Sequence, residues 1–287
     1  MIVAAPGTVI AGRYTVEAVL GRGGMGTVLR ARDHDGAVVA VKVPARATDP
    51  EVAARLVREG GILARLASPH ACRVLDVGIE AGMPFVVMEL LDGVDLGKVL
   101  AARGKLEVAA AAAIVVDACA ALAEAHAHGV VHRDVKPENL FLVRRAGREP
   151  LVKVLDFGAS KVRGEGSAIT GTSAVLGTPA YLAPEQIGGA RDVDLRADVW
   201  ALGVVLYRAL TGVLPFDGPT LFDIAVRVAA EPPRPLRDHA PVPPAVEAAV
   251  LACLAKRPDA RPTTEALVAM LRRAVPPSLA SIVIPAQ

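Results

Sequence analysis

Three residues have the chemistry to bind a metal ion. Asp134 and Asn139 share the polar segment HRDVKPEN, and Asp156 opens the segment DFG further along the chain. Carboxylate and amide oxygens are ligands that Mg²⁺ accepts, together with the phosphates of a substrate. A carboxylate that does not bind the metal can instead accept the proton of a hydroxyl nucleophile. Each residue alone would also suit a turn on a surface loop.

A glycine-rich segment precedes these residues. Residues 21–26, GRGGMG, match the pattern G-x-G-x-x-G. In a dinucleotide-binding fold this pattern opens a helix, whereas here strand-like residues follow it, and the phosphate-binding pattern G-x-x-x-x-G-K-S/T does not occur. A glycine loop inside a hairpin can cover phosphates with its backbone N–H groups, although glycines also serve ordinary turns. The pattern alone leaves both roles open.

Lys42 ends the next strand-like run and also has two possible roles. It fits an edge lysine that extends from a sheet into solvent. Beneath the glycine loop, its ammonium group would instead contact nucleotide phosphates. That second role needs a carboxylate to hold the lysine, and Glu59 on the following predicted helix is available.

The predicted secondary structure divides these residues between two parts of the chain. Alternating apolar residues predict strands from Tyr14 to Val43 and near 72–78 and 84–88, with a helix over about 50–66 that Gly60-Gly61 should weaken. A strand at 151–155 and a pattern-poor loop over 156–185 follow, and such a loop is usually functional or mobile. Further helices are predicted over 107–128, 195–211, 220–229, 244–254 and 263–274. The pattern indicates a small β-rich lobe, a hinge and a larger helical lobe.

Composition excludes several classes of protein. Of the 287 residues 53% are hydrophobic, which argues against disorder. The 32 Lys and Arg nearly balance the 30 Asp and Glu without a long basic run, so we expect no nucleic-acid partner. Three widely spaced cysteines favour neither zinc nor disulfides. The most apolar stretch, 106–122, carries two acidic residues and the first residues lack a signal-peptide pattern, so we expect no membrane segment and a cytoplasmic location.

The motifs together resemble the protein kinase family, and within it the eukaryotic-like (Hanks-type) Ser/Thr kinases of bacteria. The resemblance covers 14–273 and rests on GRGGMGTV, VAVK, REGGILARL, HRDVKPEN, LDFG, GTPAYLAPE, DVWALGVVLY and KRPDARPT. The combination of HRD, DFG and APE is specific. It implies an α+β, bilobal kinase-like fold with a small antiparallel N-lobe sheet, one main N-lobe helix and a mainly helical C-lobe. The implied boundaries are 14–88 for the N-lobe, 89–93 for the hinge, 94–273 for the C-lobe and 274–287 for a C-terminal tail or linker start.

The resemblance implies a non-specific Ser/Thr protein kinase. Such an enzyme transfers the γ-phosphoryl group of ATP to Ser or Thr hydroxyls of proteins, including its own activation segment. Asp134 would be the catalytic base, Lys136 would neutralise the γ-phosphate, and Lys42 would contact the α- and β-phosphates while paired with Glu59. The resemblance is also compatible with a transient homodimer.

The resemblance extends to cofactors and their ligands. Asn139 and Asp156 would hold Mg²⁺, with Mn²⁺ as a substitute. For Phe141, a place below adenine and a place in the plain core are about equally supported. The residues that would surround ATP are Leu20, Gly21, Arg22, Gly23, Gly24, Met25, Gly26, Val28, Ala40, Lys42, Glu59, Met88 as gatekeeper, Glu89, Leu91 and Phe141.

Residues 156–185 match the family's activation segment. Thr170 and Thr172 are the phosphorylation candidates, because a phosphothreonine could order this segment through basic side chains. The basic positions that would receive the phosphate are Arg55, Arg133 and Lys161. Positions with structural roles in the family are matched by Leu63, His132, Phe157, Asp198 and the pair Glu185–Arg261.

Three other functions compete with this interpretation. A pseudokinase scaffold typically loses residues of the Lys42, Asp134 or Asp156 type, and this chain retains all three. A small-molecule phosphotransferase of related fold should lack GTPAYLAPE, which builds a platform for protein substrates. A structural protein would have no nucleotide site, and nucleotide-dependent thermal stabilisation would distinguish it.

Overall fold

The computed structural model describes residues 5–23, 26–45, 49–157, 179–189 and 193–284. The chain forms two compact units. The first unit comprises Met1–Ala67 and Cys72–Leu91, and the second comprises Ser68–Ala71 and Asp92–Gln287. The division after Leu91 falls within the predicted hinge, and the short segment 68–71 belongs to the second unit although its neighbours on both sides belong to the first.

The first unit is a six-stranded antiparallel sheet with one helix. Its strands are β1 (Val9–Ile10), β2 (Tyr14–Gly23), β3 (Gly26–Asp33), β4 (Val38–Pro44), β5 (Val74–Glu80) and β6 (Met83–Glu89), in the order β1-β2-β3-β4-β6-β5. Alternation along β4 buries Val39, Val41 and Val43 in the core of the unit. β1, which has only two residues, was not predicted.

Helix α1 (Pro50–Leu63) packs closely on the sheet at one glycine. Asp49 caps its start by accepting a hydrogen bond from the Glu51 backbone N–H at 2.8 Å. Gly60 is buried, and a β-carbon added there would lie 2.5 Å from Cγ1 of Val77 on β5. Gly61 has open space around the same position. Gly60 therefore has a packing role that its low helix propensity did not reveal.

The second unit is mainly helical with a small three-stranded sheet. The strands are β7 (Gly93–Asp95), β8 (Leu140–Val143) and β9 (Leu151–Val154). The helices are α2 (Leu96–Arg103), α3 (Val108–Ala127), α4 (Pro184–Ile187), α5 (Arg196–Thr211), α6 (Leu221–Ala230), α7 (Pro244–Cys253) and α8 (Thr264–Ala274). Two 3₁₀ turns, Pro137–Asn139 and Pro179–Tyr181, lie near the site described below. The predicted α+β class, with a β-rich first part and a helical second part, is confirmed.

Helix α3 has the length and apolar composition of a membrane span. Its most apolar 18-residue window has a mean hydropathy of 1.9, but 67% of that window is buried inside the protein. It packs against α5 and α8 of the same unit. These contacts fit a core helix, whose apolar faces are covered by other helices rather than by lipid.

The segment after α8 also packs on the second unit. Glu149 accepts hydrogen bonds from the Ser278 hydroxyl and the Leu279 backbone N–H, both at 2.8 Å. Leu279 and Ile282 are buried. The part of the predicted tail over 275–284 is thus held by specific contacts.

We expect opposite effects from alanine at the two adjacent glycines of α1. Gly61→Ala should stabilise the protein by about 1 kcal/mol through helix propensity. Gly60→Ala gains the same propensity but must displace Val77, and overpacking of this kind costs about 1–3 kcal/mol. Midpoints of chemical unfolding, followed by circular dichroism, measure the difference. Equal stabilisation by both substitutions would contradict the close packing of α1 on β5.

Candidate active site

A buried carboxylate fixes the segment that contains Asp134. Asp198, in the first turn of α5, is 0% exposed. Its Oδ2 accepts the backbone N–H of His132 at 2.9 Å and its Oδ1 accepts that of Arg133 at 2.8 Å. His126 Nε2 donates a third hydrogen bond to Oδ2 at 2.8 Å. These donors satisfy the buried carboxylate, and they tie the loop backbone to α5.

The loop backbone is strained at the residue before Asp134. Arg133 has φ of 66°, in the left-handed region that side chains other than glycine disfavour. Its carbonyl oxygen accepts a hydrogen bond from Gln186 Nε2 at 3.0 Å. The loop is thereby held on one side by Asp198 of α5 and on the other by Gln186 of α4.

The Asp134 carboxylate lies between a cation and an amide. Lys136 Nζ is 2.8 Å from Asp134 Oδ2. Asn139 Nδ2 donates to the Asp134 backbone oxygen at 2.7 Å and approaches Oδ2 at 3.3 Å. These contacts restrict the rotamer of Asp134, so its carboxylate is held in one position.

The β8–β9 hairpin brings Asn139 and Asp156 to the same end. Leu140, the first residue of β8, is paired with Val154, the last residue of β9. The Leu155 N–H donates to the Asn139 carbonyl oxygen at 2.8 Å, and His132 Nε2 donates to the Leu155 carbonyl oxygen at 2.7 Å. Asp156 follows directly, also in the left-handed region with φ of 59°.

The donor atoms at this end fit a hard divalent cation. Asn139 is buried, and within the described part of the chain its side chain makes hydrogen bonds only through the amide nitrogen, so the amide oxygen can act as a ligand. Asp156 supplies carboxylate oxygens from the other side of the hairpin end. Oxygen ligands without sulfur or imidazole are the set that Mg²⁺ and Mn²⁺ prefer.

The first unit carries the glycine segment and Lys42. Gly23, the last residue of β2, pairs with Gly26, the first residue of β3, so antiparallel strands flank the glycine segment on both sides and no helix follows it. Gly26 has φ of 145°, and a β-carbon there would lie 2.1 Å from the Val43 carbonyl oxygen. Only glycine fits at this position. Lys42, on β4, is half-buried and pairs with Val28 of β3.

The other nucleotide-site candidates of the first unit lie on neighbouring strands. Ala40 on β4 is buried and pairs with Met88 on β6, where Glu89 follows. The Glu89 carboxylate accepts the Arg73 backbone N–H at 2.7 Å. Leu20, Gly21 and Arg22 are exposed on β2, Val28 and Leu91 are half-buried, and Glu59 and Arg55 are half-buried on α1.

The remaining candidates are divided between the second unit and undescribed positions. Phe141, on β8, is half-buried and pairs with Lys153. Phe157 lies against the ring of His132, with 5.0 Å between ring centroids. Gly24, Met25, Lys161, Thr170 and Thr172 lie outside the described residues, so their roles stay predictions.

Three supporting residues were not predicted. His126 reaches Asp198 from α3, Gln186 holds the Arg133 carbonyl, and Arg208 Nη1 donates to the Tyr181 hydroxyl at 2.5 Å. The one signal for His126 was its position in a mostly apolar helix, where a buried polar residue requires a partner. The other two contacts join segments far apart in sequence and left no local pattern.

Comparison with known proteins gives a consistent result. The family model for the protein kinase domain matches residues 14–271. The chain is 40% identical over 268 residues to the serine/threonine-protein kinase pkn3 of Myxococcus xanthus, covering 90% of this chain and 49% of that protein. It is 41% identical over 263 residues to PknB of Mycolicibacterium smegmatis, with 88% and 41% covered. It is also similar to PkaA of Streptomyces coelicolor, at 37% over 278 residues with 92% and 50% covered. The chain thus spans half or less of the length of these relatives.

Asp198→Asn should loosen the loop without a change in side-chain size. Asparagine has one acceptor oxygen and an NH₂ group, so at least one of the three donors would face another donor. We expect the free energy of unfolding to fall by about 2–4 kcal/mol and the amides of His132 and Arg133 to exchange at least about tenfold faster. Hydrogen exchange with mass spectrometry measures this effect. Asp194→Asn, at an exposed position before α5, is the matched control, and undisturbed protection in Asp198→Asn would refute the assigned role.

Proposed function

The chain belongs to the protein kinase family, and from this premise we propose that it is an active Ser/Thr protein kinase. It would transfer the γ-phosphoryl group of ATP to Ser or Thr hydroxyls of protein substrates and to its own activation segment. The observation that carries the proposal is the placement of Asp134, Lys136, Asn139 and Asp156 around one hairpin end.

The proposed reaction is a displacement at the γ-phosphorus. The hydroxyl oxygen of the substrate forms a bond to phosphorus, and the bond to the oxygen that remains on ADP breaks with its electron pair. The Asp134 carboxylate accepts the hydroxyl proton, and its fixed position favours one orientation of the attacking oxygen. The neighbouring Lys136 ammonium offsets negative charge on the transferred group.

Metal and nucleotide binding are assigned to further residues. Asn139 and Asp156 would hold Mg²⁺, with Mn²⁺ as a substitute, and the bound ion would offset phosphate charge. The glycine hairpin and Lys42 of the first unit would bind the phosphates through backbone N–H groups and an ammonium group. All of these charged groups are retained, which favours an enzyme over a nucleotide-binding scaffold.

The proposed regulation is autophosphorylation at Thr170 or Thr172. A phosphate there would pair with basic side chains such as Arg133, whose Nε is buried without a hydrogen-bond partner among the described residues. Site mapping by mass spectrometry should find phosphate on one of these threonines. Unmodified threonines in highly active enzyme would refute this part of the proposal.

We further propose a cytoplasmic location, which cell fractionation would test, and a transient homodimer, which sedimentation analysis would test.

Two substitutions test the proposed activity. Asp156→Asn and Lys42→Met should each lower Mg·ATP-dependent autophosphorylation by at least about 100-fold, because each removes a charge that stabilises the transition state. Asparagine tolerates a left-handed backbone, so the first substitution should not strain its position. Incorporation of labelled phosphate, with thermal unfolding as a check on the fold, gives the measurement.

Matched controls separate loss of charge from loss of structure. Asp194→Asn and Lys105→Met make the same replacements at exposed positions and should retain native activity. Substantial phosphate transfer by Asp156→Asn would contradict the metal assignment. Thermal stabilisation by Mg·ATP without transfer in the native chain, even with generic protein substrates, would favour a scaffold.

A further inference from the structure

One arginine near the proposed substrate platform has no acidic partner among the residues that the structure describes. Arg208 lies on α5 and is half-buried, whereas all the remaining residues from Ala197 to Thr211 are buried. Its Nη1 donates to the Tyr181 hydroxyl at 2.5 Å. Among the residues that the structure describes, this is the only hydrogen bond or ion pair of the Arg208 side chain.

The phenol of Tyr181 does not neutralise this guanidinium group. Burial raises the pKa of Tyr181, so the hydroxyl remains uncharged at neutral pH. Glu138 lies close enough for its charge to act on Tyr181, but no salt bridge joins it to Arg208 within the described part of the chain. An anion from outside the chain would supply the counter-charge that this half-buried guanidinium group lacks among the described residues.

The location of Arg208 indicates which anion could reach it. Tyr181 belongs to GTPAYLAPE, the segment expected to form the protein-substrate platform. In the same segment the Ala183 N–H donates to Gln186 Oε1 at 2.9 Å, and Gln186 Nε2 reaches the carbonyl oxygen of Arg133 at 3.0 Å. Arg133 immediately precedes Asp134, so a short chain of contacts connects Arg208 to the proposed proton acceptor.

We propose that Arg208 forms a subsite for an anionic side chain of the protein substrate, near the Ser or Thr that receives phosphate. The anion is a carboxylate or a phosphorylated residue, since both accept paired hydrogen bonds from a guanidinium group. The hydrogen bond to the Tyr181 hydroxyl orients the guanidinium group. The half-buried position of Arg208 strengthens its attraction to an anion relative to that of an exposed arginine. This inference rests on the proposed kinase activity and gives it a substrate class.

A positional peptide library tests the subsite with the full chain. Each peptide carries one Ser or Thr, and each flanking position is in turn Ala, Lys, Arg, Asp, Glu or phosphoserine. We expect the native enzyme to prefer an anionic residue over lysine at one flanking position by roughly tenfold in kcat/KM, the effect of one charge-assisted hydrogen bond. The Asp and Glu peptides compared with the phosphoserine peptides identify the preferred source of charge. Added salt should weaken the preference.

Substitutions at Arg208 then attribute the preference to this side chain. Arg208→Gln should reduce it to less than about twofold, mainly through a higher KM for anionic peptides, and Arg208→Glu should reverse it in favour of lysine. Arg208→Lys keeps the charge and should retain a weaker preference, which provides a test if the other variants fold poorly. Arg273→Gln, at an exposed position at the end of α8, is the matched control and should behave as the native chain.

The outcomes separate this inference from the proposed function. Phosphorylation of peptides without an anionic preference, or with a preference that survives in Arg208→Gln, would overturn the subsite and leave the kinase activity intact. Absence of transfer to every peptide and to the chain itself would overturn both.

Discussion

The hydrogen bonds from the loop backbone to the buried carboxylate of Asp198 are the interaction on which the site depends. Arg133 adopts a left-handed conformation, which costs roughly 1–2 kcal/mol for a residue with a side chain. Two hydrogen bonds from backbone N–H groups to a buried charged acceptor contribute more than that, at about 1.5–3 kcal/mol each. Because Asp198 lies in the first turn of α5, the positive end of the helix dipole also favours its negative charge. The strained backbone at Arg133 in turn determines the direction of the chain at Asp134, the next residue of the loop.

The β8–β9 hairpin supplies the second constraint, because it brings Asn139 and Asp156 to the same end although they are far apart in the sequence. Asn139 precedes β8 and Asp156 follows β9, and the antiparallel register sets Leu140 opposite Val154. A shift by one residue would turn each side chain of a strand to the other face. The hydrogen bonds from Leu155 to Asn139 and from His132 to Leu155 fix the register at the end of the hairpin that carries Asn139 and Asp156. The sheet therefore positions Asn139 and Asp156, the proposed metal ligands, and α5 positions the loop that carries Asp134, the proposed proton acceptor.

The sequence predicted elements with a strong period and missed those that depend on distant contacts. Helix α3 was predicted to within one residue at each end because its apolar run is long and ends before Gly129, whereas β1 and β7 have only two and three residues. The packing role of Gly60 required knowledge of Val77, which lies on another element. At the site, motif resemblance indicated the residues that the hairpin end brings together, but their chemical roles remain predictions. No local pattern could indicate the partners of His126 and Arg208, because each contact joins residues brought together only by the tertiary fold.

Helix α5 connects the loop and the platform because it carries an anchor for each. Asp198 near its start holds the backbone around Arg133, and Arg208 near its end contacts Tyr181. These two positions are about 15 Å apart along the helix, so a single element holds both the loop around Arg133 and the segment around Tyr181. A second anchor of the platform is the pair Glu185–Arg261, in which the arginine is 2% exposed and the Nη1 to Oε1 distance is 2.7 Å. All three guanidinium nitrogens of Arg261 donate hydrogen bonds within the protein, whereas the described contacts of the Arg208 side chain are limited to the Tyr181 hydroxyl, which is why the proposed substrate subsite falls at Arg208.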